Sequence, residues 1–129
     1  MERKNKNEFS VRKRIKSFGY AFNGLKILFS EEHNARIHLG VTIIVIAMGI
    51  VFGISPVEWM ITLTLIALIF SLEIINSALE RICDVISPEK KPAIKKIKDL
   101  SAAAVLISAI VAVVCGTIIF LPRLCDFLK

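Results

Sequence analysis

Apolar residues run without a charge from 39 to 54, again from 59 to 72, and a third time from 101 to 122. A helix crosses a bilayer with about 20 residues at 1.5 Å each, polar ends included. The first run reaches that size by helical continuation back through Ala35, Ile37 and Leu39. The pattern therefore predicts three membrane helices, over 33–54, 57–84 and 98–122. Ahead of them the period changes: Ile15, Phe18, Phe22, Leu25 and Phe29 recur at spacings of three and four, with Arg12, Lys13, Lys16, Asn23 and Lys26 on other faces. This predicts an amphipathic helix over 9–30, basic on its polar side and suited to an anionic headgroup surface or to packing on the protein's own bundle. Residues 1–8 are polar and predict a disordered tail. Ala104, Ser108, Ala112 and Gly116 repeat at intervals of four, as do Gly49 and Gly53, a spacing that lets helix backbones approach closely in lipid.

With 129 residues, 55% of them hydrophobic, the chain has room for a single domain and is an all-α integral membrane protein rather than a soluble globule. Of seventeen Lys and Arg, nine precede Leu39, six fall between Arg81 and Lys98, none lies in Ser55-Pro56-Val57-Glu58, and two follow Pro122. By the positive-inside rule the N-terminus and the second connection are cytoplasmic, and the turn and C-terminus face outward. The long basic segment before the first apolar run does not have the form of a signal peptide. Cys83, Cys115 and Cys125 fall at three depths, which excludes a disulfide framework or thiolate cluster and leaves them as small apolar fillers.

The second span ends in Ser-Leu-Glu-Ile-Ile-Asn-Ser-Ala-Leu-Glu-Arg-Ile-Cys-Asp. On a helix Glu73, Asn76, Glu80 and Asp84 share one face within about 80°, while Ile74, Ile75, Leu79 and Ile82 point elsewhere. Exposing a charge to lipid costs at least about 2.5 kcal/mol, so this stripe must face protein, water or cations. Counted from Val57, Glu73 lies about 24 Å along the helix and Glu80 about 35 Å. Glu31 and Glu32 stand at the same edge, as do Lys98 and Asp99 at the expected opening of the third span. Grouped carboxylates such as Glu32 and Glu80 call for divalent cations or nearby Lys and Arg. Magnesium suits a few carboxylates plus water and phosphate oxygens, and Lys95, Lys96 and Lys98 with the basic helix suit a polyphosphate. The plainer reading is a salt-bridged interfacial collar, for which Glu73 lies too deep. No phosphate-binding glycine loop or protein-kinase motif is present. His33 and His38, without cysteine partners, read as interfacial hydrogen-bonding residues.

These residues resemble the prokaryotic diacylglycerol kinase and undecaprenol kinase family over 15–124. The resemblance rests on Glu73-Ile-Ile-Asn76-Ser-Ala-Leu-Glu80 with Asp84, then Lys98-Asp99 followed by Ser-Ala-Ala-Ala-Val. Gly19-Tyr20, Gly24-Leu25, Glu32 and Arg36 match upstream. Arg36-Ile37-His38, Val57-Glu58-Trp59-Met60-Ile61, Phe70-Ser71-Leu72-Glu73 and Ile119-Phe120-Leu121-Pro122 are similar to the undecaprenol branch, whereas the diacylglycerol branch commonly has an acid where His38 stands. The resemblance implies a homotrimer in the bacterial cytoplasmic membrane, with sites shared between subunits and a lipid alcohol, polyprenol or diacylglycerol, phosphorylated from ATP with Mg2+. The product would feed phospholipid synthesis or lipid-carrier recycling, with no nucleic-acid partner. It implies Glu73 as proton acceptor, Asn76 orienting the centre, and Glu32 and Glu80 on the metal. Tyr20, Glu89, Lys90, Lys91, Lys98 and Asp99 would contact ATP. The family's phosphate-contacting N-terminal arginine aligns with Lys13, with Arg14 adjacent. Read from the residues alone, phosphoryl transfer needs positioning and charge neutralisation more than covalent chemistry. A buried Glu73 suits proton acceptance from an alcohol. A small proton-coupled transporter would use the same acids nearer mid-bilayer, and a non-enzymatic assembly partner would use them as salt bridges.

Overall fold

A computed structural model describes residues 10–89 and 91–129; the expected tail over 1–8 and Lys90 lie outside them. The chain divides into two units, Met1–Glu32 and His33–Lys129. In the first, α1 (Val11–Glu31) stops where Glu32 turns extended and its N–H donates to the Leu28 carbonyl at 2.9 Å. Ile15, Phe18 and Phe22 are exposed on it, at 67%, 67% and 70%.

The second unit holds α2 (His33–Phe52), α3 (Pro56–Ile86) and α4 (Pro92–Phe127), each long and apolar enough to cross a membrane. At 1.5 Å per residue they extend about 30, 46 and 54 Å. α4 thus starts six residues before the predicted span and ends five after it. Pro92 suits the first helical position because its missing N–H has no helical acceptor there. The charged segment that follows is tied by Lys95 Nζ to Asp99 Oδ2 at 2.8 Å, one turn along. Lys98 and Asp99 therefore do not open the helix; they lie in its second turn.

α2 ends on two crossed bonds, Gly53 N to Ile50 O at 3.3 Å and Ile54 N to Gly49 O at 3.2 Å. This geometry needs a left-handed residue, and Gly53 has φ 58°. Gly53 is thus a helix terminator rather than part of a packing seam. At Gly49 the approach is by a side chain: a Cβ there would stand 2.8 Å from the Trp59 ring. The turn leads into a capping box, with Ser55 N donating to Glu58 Oε2 at 2.7 Å and Glu58 N to Ser55 Oγ at 3.3 Å. Glu58 also receives both Arg123 nitrogens, at 2.9 and 2.8 Å, which joins the start of α3 to the last turns of α4. Arg123 further donates to the Ile119 carbonyl at 2.6 Å, beside the interior Pro122.

α3 and α4 form the main helix pair, and α2 packs less extensively on both. At the turn end Ile54, Ile119 and Phe120 are buried against Val45, Met48, Phe52 and Trp59. Phe52 meets Phe120 and Phe127 with ring centres 6.5 and 6.1 Å apart. The small residues of α4 divide in two. Ser108 is buried and Ala104 partly so, whereas Ala112 and Gly116 border an apolar cavity of about 550 Å³ among the three helices. A Cβ at Gly116 would meet nothing within 4 Å.

Candidate active site

The polar face of α3 deepens toward the middle of the helix. Glu73 is 2% exposed and Asn76 8%, Glu80 is half-buried, and Asp84 stands in the open, while Ile74, Ile75 and Ile82 are exposed. The expected stripe is present, and its apolar neighbours point outward. Burial at Glu73 takes a carboxylate out of lipid and into the helix bundle, as the cost of lipid exposure requires.

One turn apart, Asn76 Nδ2 donates to Glu80 Oε1 at 3.4 Å. From α4, the Ser101 hydroxyl donates to Asn76 Oδ1 at 2.6 Å. A turn nearer the connection, Lys98 Nζ pairs with Asp84 Oδ1 at 2.5 Å across the same two helices. Asp84 neutralises Lys98 directly, and Glu80 adds to the negative field around it. An amide, two carboxylates, an ammonium and a hydroxyl thus form a ladder on the α3–α4 seam, with Glu73 buried one turn deeper. The ladder works because α3 and α4 stay helical past the apolar segment and carry their polar turns side by side.

Glu89 and Lys91 sit in the connection, exposed, with Lys91 Nζ 3.7 Å from Glu89 Oε2. Asp99 faces Lys95, and Lys96 is exposed. Lys13, Arg14 and Tyr20 are exposed on α1, where Lys16 Nζ lies 5.9 Å from the Tyr20 ring centre. Glu32 is half-buried at the C-cap of α1. Lys13, Arg14, Tyr20 and Glu32 belong to the first unit, and Lys90 falls outside the described residues. Among the described residues no three of His, Cys, Asp and Glu are grouped to hold a metal ion. Glu80, an oxygen donor that accepts a long amide hydrogen bond from Asn76, fits a hard cation that takes its remaining ligands from water and phosphate.

Ser101 was not singled out by sequence reasoning. It stands three residues past Lys98, and only the packing of α4 on α3 brings it to Asn76. The Glu58–Arg123 pair was also unforeseen, although the Ser-Pro-x-Glu start of α3 is a capping-box signature that places Glu58.

Residues 19–120 match the family model described as prokaryotic diacylglycerol kinase. The undecaprenol kinase of Bacillus subtilis (strain 168) is 36% identical over 110 residues, which cover 85% of this chain and 89% of that protein. The diacylglycerol kinase of Haemophilus influenzae is 32% identical over 107 residues, 82% of this chain and 91% of the relative. The diacylglycerol kinase of Synechocystis sp. is 33% identical over 109 residues, 84% of this chain and 62% of the relative.

Proposed function

This chain belongs to the prokaryotic diacylglycerol kinase family and is a multi-pass membrane lipid kinase, and we propose that it transfers the γ-phosphoryl group of ATP to a polyprenol, undecaprenol before diacylglycerol. Family membership sets aside the transporter reading of the same acids. The observation that carries the reading is Glu73, a carboxylate 2% exposed on a membrane helix, one turn deeper than the Asn76–Glu80 contact. A base at that depth suits a hydroxyl delivered from the bilayer, and the Lys98–Asp84 rung suits a phosphate delivered from water.

In this mechanism Glu73 takes the proton of the lipid hydroxyl as its oxygen bonds to the γ-phosphorus, and the bond to the bridging oxygen breaks to release ADP. Asn76 orients Glu80, which together with Glu32, as the family resemblance implies, would hold Mg2+. When bound, such an ion would supply charge neutralisation for the polyphosphate and the transferring group. Lys98 and Asp99 meet ATP together with Tyr20, Glu89, Lys90 and Lys91, and Lys13 or Arg14 supplies the N-terminal cation. The protein works as a homotrimer in the bacterial cytoplasmic membrane, with the Glu80 end of the bundle toward the cytoplasm and α1 on the membrane surface. The preference for undecaprenol is supported by the 36% identity to the Bacillus subtilis undecaprenol kinase and by His38.

The test is transfer of label from γ-labelled ATP into lipid by the purified protein, with undecaprenol and diacylglycerol presented at equal mole fraction. Faster labelling of undecaprenol is expected. Faster labelling of diacylglycerol overturns the substrate assignment, and labelling of neither overturns the choice of acceptor class.

A further inference from the structure

The Ser101 hydroxyl has two acceptors in reach, Asn76 Oδ1 on α3 at 2.6 Å and the Lys98 carbonyl at 2.9 Å. It has one proton to give. A carbonyl three residues back is the ordinary local partner of a helical serine, so the shorter bond to α3 is what packing adds. That bond decides which way the Asn76 amide faces. The oxygen and nitrogen ends of an amide are nearly alike in shape and opposite in hydrogen bonding. Turned over, Asn76 would set Oδ1 against Glu80 Oε1, acceptor against acceptor. With the Ser101 proton at Oδ1, Nδ2 is directed to Glu80, at 3.4 Å. Asn76 is 8% exposed, so water has little access to replace the serine.

We propose that Ser101 is a positioning residue for phosphoryl transfer: its hydroxyl fixes the sense of the Asn76 amide, and through it the Glu80 carboxylate. The amide holds Oε1, so the other carboxylate oxygen would be the one to meet the cation. The second acceptor gives the hydroxyl a fallback within its own helix, so small movements of Asn76 leave this partly buried donor paired. The inference rests on the reading of Glu80 as a cation ligand.

The experiment is a Mg2+ titration of thermal protection at a fixed concentration of a non-hydrolysable ATP analogue, paired with the Mg2+ dependence of turnover. Ser101→Ala removes the hydroxyl at no cost to the helix, alanine being the best helix former. One neutral hydrogen bond corresponds to an expected three- to tenfold rise, roughly, in the Mg2+ concentration for half-maximal protection. The apparent KM for Mg2+ should rise by the same factor, with kcat at saturating Mg2+ within about twofold of the parent. Ser101→Thr keeps the hydroxyl and should restore the midpoint. In an Asn76→Ala background Ser101→Ala should add nothing, because the group it acts through is gone. An unchanged midpoint in Ser101→Ala, with raised midpoints in Asn76→Ala and Glu80→Gln, overturns the positioning role and leaves the cation reading standing. Equal rises in Ser101→Ala and Ser101→Thr overturn it as well, since the hydroxyl would not be the cause. An unchanged midpoint in Glu80→Gln removes the cation reading, and the role of Ser101 with it.

Discussion

Glu73 and Glu80 are two helical turns apart, about 10 Å, and differ sharply in surroundings: one is closed inside the bundle, the other half-open and held by an amide. Glu73→Gln keeps the shape and removes the proposed proton acceptor. Turnover should fall by about 10² to 10⁴-fold, the usual size of a general-base effect. Protection of the protein by MgATP against thermal unfolding should be little changed. Loss of that protection with turnover preserved would move Glu73 into the nucleotide site. Ser77, beside Asn76, presents the opposite case. Its hydroxyl is buried, at 6% residue exposure, with no hydrogen-bond partner among the described residues. Ser77→Ala removes a desolvated, unpaired group and should leave stability unchanged or raise it by about 1 kcal/mol. A clear loss of stability in detergent would point to an acceptor on a neighbouring subunit. At this scale the sequence was informative where partners share a helix: the i, i+4 spacing sets Asn76 against Glu80. It was silent on Ser101, because a hydroxyl on another helix has no periodic signature.

Helix identity followed from the uncharged runs, since length and hydropathy decide what crosses a membrane. Helix ends did not. α4 begins early because the Lys95–Asp99 and Lys98–Asp84 pairs let charged turns remain helical beyond the apolar segment. It continues through Pro122, where the lost backbone donor is accompanied by a guanidinium bond to the adjacent Ile119 carbonyl. The interval of four at Gly49 and Gly53 suggested one seam, yet the two glycines answer different demands, room for Trp59 and a left-handed turn. Gly53→Ala should therefore destabilise the α2–α3 hairpin by about 1 to 2 kcal/mol, the cost of placing a Cβ in that conformation. Denaturant unfolding in mixed micelles would measure it, and a change below a few tenths would mean the turn has another accessible geometry. Glu58 serves both the cap of α3 and the bond to Arg123, whereas Arg123 serves Glu58 and one carbonyl. Glu58→Ala should accordingly cost more than Arg123→Ala by about 1 kcal/mol, the usual worth of a helix cap. Equal losses in the same unfolding experiment would show that the cap contributes little.

For the whole molecule, the proposed topology, drawn from the charge asymmetry, has the Glu58–Arg123 end outside and the Glu80 end in the cytoplasm. Cys125 is exposed on the last turns of α4, while Cys83 is buried on the far part of α3. The protein thus carries its own reporter: a membrane-impermeant maleimide should modify Cys125 in right-side-out vesicles and spare it in inverted ones. The reverse pattern would turn the topology over. Glu73 lies within the bundle and Lys98 on the part of α4 ahead of its uncharged segment, so in the proposed mechanism the two reactants arrive from two phases and their concentrations are counted in different units. ATP is counted in moles per litre of water. The lipid alcohol is counted as a fraction of the molecules in a two-dimensional solvent. Diluting the membrane with inert phospholipid, at constant total alcohol in the tube, should slow the reaction, while diluting the whole suspension at saturating ATP should leave the rate per enzyme unchanged.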